Sequence, residues 1–119
     1  MMKKILIAED EEVLREVFKD ELTEEGYDVL EARDAKGTLH YLSKGKVDLL
    51  ILDIKLPDMS GLKLLERIRK DYPALPIIVC TAYDTFKTDY EIWVGDIADY
   101  IVKPVDLEVL KEKIGRIIG

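Results

Sequence analysis

Cysteine and histidine are almost absent from this 119-residue chain, which has one of each, Cys80 and His40. A single thiol excludes an internal disulfide. His40 falls on the outer side of a short predicted helix, which argues against a ligand or catalytic role for it. Basic residues are also in deficit: 18 Lys and Arg stand against 25 Asp and Glu, for a net charge of -7. Direct binding to a nucleic-acid backbone depends on clustered cations, so this balance argues against it and in favour of a cationic or mixed protein surface as partner. Long apolar runs are missing. The run around Ile5 to Ala8 is far too short for a signal peptide or a membrane span, so the expectation is a cytoplasmic protein that does not enter the membrane. No Pro/Gly/Ser linker, low-complexity tract or short-period repeat interrupts the chain, which reads as a single domain over residues 1–119.

What is present is an alternation of strand and helix. Lys3 to Ala8 is rich in strand formers, and Val13, Leu14, Val17, Phe18 and Leu22 then recur at helical spacing up to Gly26. A short strand around Asp28 to Glu31 precedes a helix marked by Ala35, Leu39 and Leu42. Val47 to Leu52 is apolar on both faces, as a central parallel strand must be. After the turn from Leu56 to Gly61, residues Leu62, Leu65 and Ile68 mark a third helix, and Pro76 to Cys80 a fourth strand. A fourth helix is expected within residues 84–94, followed by a fifth strand at Tyr100 to Val102 and a final helix striped by Leu107, Leu110, Ile114 and Ile117. The pattern predicts an α/β fold: a five-stranded parallel sheet with helices on both faces, a (βα)5 arrangement of the flavodoxin-like kind.

In such a fold, ligands bind outside the carboxyl ends of the strands. The chemistry-bearing residues Glu9, Asp10, Asp53, Thr81 and Lys103 each fall just after a predicted strand. Three carboxylates, a hydroxyl and an ammonium are the composition of a site that takes a hard divalent cation, Mg2+ or Mn2+, and stabilises a phosphoryl group beside it. Taken singly, each has a plainer role: Asp10 as a helix cap, Asp53 as a turn former, Thr81 as an N-cap, Lys103 as a solvated lysine. Taken together they favour the site. Pro104 makes the Lys103–Pro104 bond a candidate cis peptide. Cys80, within a buried strand, reads as a small core residue. Phe86, Tyr90 and Trp93 share one helical face, for which packing on the sheet is favoured over a partner-binding surface.

The acidic pair Glu9-Asp10, the stretch LDIKLPDMSG around Asp53, TAY at Thr81 to Tyr83 and DYIVKP from Asp99 to Pro104 together resemble the receiver domain of two-component response regulators. The resemblance spans the whole chain, in order. It implies that Asp53 is the phosphoacceptor, receiving a phosphoryl group from a histidine kinase or histidine phosphotransfer protein. It further implies that Asp10, Asp53 and the backbone carbonyl of Lys55 hold Mg2+, with Glu9 acting through water. Lys103 would pair with the phosphoryl group, Thr81 would move toward it, and Tyr100 would turn inward as the switch residue. The face made by the fourth helix, fifth strand and final helix would then meet a downstream protein target, the protein being a monomer or a weak dimer. It would not be a turnover enzyme but a phosphoacceptor that assists its own phosphoryl transfer and loss, with Lys55 and Tyr83 expected to tune the loss.

Departures from the family pattern are Glu9, where Asp is more frequent, and the bulky aromatic stretch at residues 84–95. Gly95 sits one position early, and Ile97 replaces a usual alanine, so the fourth helix is expected to be shortened, tilted or mobile. An unphosphorylated receiver-like adaptor is the alternative reading. A flavodoxin-like cofactor protein is disfavoured, because Glu9 to Glu12 would repel a phosphate where a flavin needs a phosphate loop. With no output module after the last helix, the chain is expected to be either a stand-alone regulator or a piece of something longer.

Overall fold

The computed structural model describes residues 2–82 and 97–119. The expected helix within residues 84–94, its aromatic face of Phe86, Tyr90 and Trp93, and Tyr83 lie outside them. Strands β1 (Lys4–Ala8), β2 (Asp28–Ala32), β3 (Leu49–Leu52), β4 (Ile77–Thr81) and β5 (Asp99–Val102) form one sheet in the order β2-β1-β3-β4-β5, and every pairing is parallel. Helices α1 (Glu12–Glu24), α2 (Ala35–Lys44), α3 (Gly61–Asp71) and α4 (Leu107–Ile118) complete the described elements. None of them is long and apolar enough to cross a membrane.

Side chains alternate across a strand, so each central strand feeds two cores. Leu6, Leu50, Leu52, Ile77 and Val79 face one side, where α2 contributes Ala35 and Leu42 and α3 contributes Leu64, Leu65 and Ile68. Ile5, Ile7, Leu49, Ile51, Ile78 and Cys80 face the other, where α1 contributes Phe18 and Leu22 and α4 contributes Leu110 and Ile114. This is the predicted α/β sandwich, with some details moved: β3 begins at Leu49 rather than Val47. The α1 stripe is narrower than the sequence suggests: Leu14, Phe18 and Leu22 lie toward the sheet, whereas Val13 is 75% exposed and Val17 38%. Leu14, Phe18 and Leu22 repeat every fourth residue on one face; Val13 and Val17 are turned about 100° from it. The fourth strand also runs one residue further than expected, so Thr81 is its last residue and fully buried rather than a loop residue beyond it.

The register brings the strand ends together. Ala8 pairs with Leu52, and the next residue on β3's side, Asp53, donates its N–H to Ala8 O at 3.0 Å. Thr81 pairs with Val102, and the Lys103 N–H donates to Thr81 O at 2.8 Å. The order reverses between β1 and β3, the place where open α/β sheets leave a crevice.

Candidate functional site

Four of the five strand ends each deliver a side chain to that crevice. Glu9 follows β1, Asp53 follows β3, Thr81 ends β4 and Lys103 follows β5. The Lys103 Nζ lies 2.6 Å from Glu9 Oε1, 2.9 Å from Asp53 Oδ2 and 3.5 Å from Glu11 Oε2. The other Asp53 oxygen, Oδ1, accepts the Lys55 N–H at 2.9 Å. Asp53 therefore does open a turn, as its plainer role requires, while its second oxygen serves the crevice. Carboxylate oxygens of Glu9, Asp10 and Asp53 lie within 4.8 Å of one another. Asp10, Glu11, Asp53, Lys55, Thr81, Ala82 and Lys103 line a cleft of about 260 Å³.

The charges are held under tension. Glu9 and Asp53 are buried and Asp10 is exposed. Burial pushes the Glu9 carboxyl up to about 7; its hydrogen bonds from Lys103 and the Glu11 N–H oppose that shift, and the Asp53 charge adds to it. For Lys103 burial favours the neutral amine, but the bonds to Glu9 and Asp53 outweigh it and hold the ammonium well above its ordinary range. Thr81 is buried, and its Oγ1 has no hydrogen-bond partner among the described residues. A hydroxyl left so is costly and calls for an explanation. Next to it, burial pushes the Cys80 thiol up to about 12, which suits an inert core residue.

Family comparison agrees with the strand-end chemistry: the response regulator receiver domain model matches residues 5–115. The chain belongs to the receiver domain family. This receiver is 39% identical to the response regulator protein TrrA from Thermotoga maritima, whose crystal structure is a complex with Mg2+-BeF; the match covers 98% of this chain and 99% of that one, with a TM-score of 0.90. A CheY-like response regulator receiver domain protein from Methanospirillum hungatei is 34% identical, covering 98% of this chain and 93% of that one, with a TM-score of 0.92. The response regulator protein FleR from Pseudomonas aeruginosa is 34% identical over 116 residues, which are 98% of this chain and 24% of FleR. This chain spans between about a quarter and about a half of the length of the curated relatives it matches.

The donor set of the receiver fits a hard divalent cation. Glu9, Asp10 and Asp53 offer oxygen only, in one mouth, and the burial and neighbouring Asp53 charge that disfavour ionisation of Glu9 are a strain that a bound cation would relieve. The structure brings together Glu9, Asp10, Asp53, Lys55, Thr81 and Lys103. Asp10 is not the cap of α1: the N-cap is Glu11, whose side chain makes no capping bond. Tyr100, two strands away from Asp53, is buried among the side chains of the α2 and α3 face. The Lys103–Pro104 peptide is cis.

Sequence reasoning passed over four residues of this site. Glu11 stands beside Lys103 and was hidden in an acidic run. Arg15 reaches back from α1, its Nη1 donating to Glu9 O at 2.9 Å and its Nε lying 3.4 Å from Glu31 Oε1, which ties the end of β1 to α1 and β2. Gly61 closes the loop after β3, and Asp58 holds that loop's tip. The last two belong to the LPDMSG stretch, but nothing local in it shows what they touch.

Proposed function

We propose that this receiver takes a phosphoryl group onto Asp53 from a phosphohistidine of a histidine kinase or phosphotransfer protein, in a reaction supported by Mg2+ or Mn2+. The observation that carries this reading is the surroundings of Asp53: a buried carboxylate that nevertheless lines an open cleft, with one oxygen on Lys103 and, at the same edge of the sheet, a Thr81 hydroxyl without a partner among the described residues. Asp10, Asp53 and the Lys55 carbonyl would hold the cation, with Glu9 beside it. Bound there, the cation would neutralise the acids and the phosphoryl oxygens together.

The chain's own residues account for the rest. An oxygen of Asp53 attacks phosphorus, forming the acyl phosphate as the phosphorus–nitrogen bond breaks; the imidazole leaves with that bond's electron pair and ends neutral once protons re-equilibrate. Lys103, held as an ammonium, pairs with the phosphoryl oxygens as they gather charge. Thr81 has a hydroxyl to donate and, among the described residues, no competing partner to leave. The added charge and acceptor oxygens favour one arrangement of Thr81 and Lys103, which biases Tyr100 and the face of β5 and α4 toward a downstream protein target. The protein works in the cytoplasm as a monomer or weak dimer, with no direct contact to nucleic acid.

Intact mass after incubation with a small acyl phosphate tests this. The expected result is one phosphoryl adduct that requires both Mg2+ and Asp53, absent from Asp53→Ala. A folded wild-type chain that takes up no phosphoryl group would make it the unphosphorylated adaptor instead.

A further inference from the structure

The loop from β3 to α3 is fastened at both its base and its tip. At the base the Gly61 N–H donates to Ile54 O at 2.9 Å, and Lys55 bridges Ser60. Leu56 is buried in the core beneath α2 and α3. At the tip, Asp58 Oδ1 accepts the Ala35 N–H at 2.8 Å and Oδ2 accepts the Lys36 N–H at 3.0 Å. These are the first two amides of α2, whose third, Gly37, donates to the helix's own N-cap, Asp34, at 2.7 Å.

A helix start leaves amides without partners and carries partial positive charge, so one aspartate there is ordinary. The second comes from more than twenty residues away, and its position has a consequence for the cleft. Helix α2 follows β2, and the end of β2 is tied to the end of β1, since the Glu9 N–H donates to Ala32 O at 3.0 Å. Asp58 thus joins the loop after β3 to the segment after β2, with the Glu9 strand end between them. Lys55 runs between the two fastenings, and its N–H already holds Asp53 Oδ1.

We propose that Asp58 is a positioning residue for the acidic cleft: its two bonds to the start of α2 fix the path of the loop and so the place of the Lys55 backbone beside Asp53. Asp58 touches no reacting atom and acts only through the loop. The inference rests on the cation-binding reading given above.

Mn2+ is the probe, its free ion counted by electron paramagnetic resonance against wild type, Asp58→Ala and Asp34→Ala. Asp34→Ala strips a cap from the same helix but leaves the loop fastened. Asp58→Ala is expected to raise the Mn2+ Kd about tenfold, as loss of a group supporting a metal ligand does, and Asp34→Ala to leave it within about twofold, although both lower Tm. In metal-free protein the Lys55 amide is expected to exchange faster in Asp58→Ala alone. Should Asp58→Ala not fold, Asp58→Asn, which keeps one acceptor oxygen, is expected to show the same changes to a smaller degree. An unchanged Kd in the Asp58 variant, or a Kd that moves in both variants in proportion to lost stability, overturns the proposal while the cation reading stands. A wild-type protein that binds no Mn2+ at the cleft overturns both.

Discussion

Burial holds a proton on Glu9 in the folded protein up to about pH 7, whereas in the unfolded chain the carboxyl loses it near its ordinary 4.5. Between those values the folded state binds more protons than the unfolded one, so this residue's contribution to stability falls as pH rises through the window. Below it both states are protonated and the contribution is complete. The other shifts lie elsewhere: Asp58, held below its ordinary range by the Ala35 N–H, acts at more acid pH, and Lys103 at more alkaline pH. Thermal melts in chelator at pH 5 and pH 7.5 should therefore show wild type losing about 1 to 3 kcal/mol more than Glu9→Gln over that interval. Equal losses in the two proteins would mean that Glu9 titrates normally. Mg2+ competes with the same proton, so its affinity should rise across the window in wild type and less so in Glu9→Gln.

The element that shapes the cleft most directly is the turn from β3 into α3. A Cβ built on Gly61 would come within 2.3 Å of Ile54 O, a backbone atom that also accepts the Gly61 N–H. Only the absence of a side chain lets the loop close that tightly. Gly61→Ala should cost about 1 to 3 kcal/mol by overpacking and weaken cation binding along with it. Gly115, inside α4, has nothing within 4 Å of the corresponding position. Gly115→Ala should instead stabilise by up to about 1 kcal/mol, through helix propensity alone. Denaturant midpoints of the two variants provide the comparison; a Gly61→Ala protein as stable as wild type would show that the turn is slack.

For the whole molecule, the central strands were legible because they must be apolar on both faces, and Leu49 to Leu52 and Ile77 to Cys80 are buried throughout. From the order of strands and crossovers followed the side of the sheet on which Glu9, Asp53, Thr81 and Lys103 meet, and the structure brings all four there. Helix faces were less legible. Val13 and Val17 are apolar at helical spacing, yet the width of a buried stripe depends on the packing partner, which the local pattern does not contain. The strand end at Thr81 was missed for a similar reason, since a polar residue at full burial looks like the start of a loop. Asp58 and Arg15 left no local signal, because Asp58 acts on backbone amides of another element and Arg15 on the Glu9 carbonyl and the Glu31 carboxylate, which only the fold brings near it.

The claim on which the rest depends is that Asp53 itself carries the phosphoryl group, and it is tested by locating the acyl phosphate after treatment with an acyl phosphate donor and Mg2+. Borohydride reduces an aspartyl phosphate to homoserine, which peptide mass mapping assigns to one position. Homoserine is expected at position 53 only, dependent on Mg2+ and lost or much reduced when Lys103 is replaced by Ala. Homoserine at Asp10 or another exposed acid, with position 53 untouched, would contradict it.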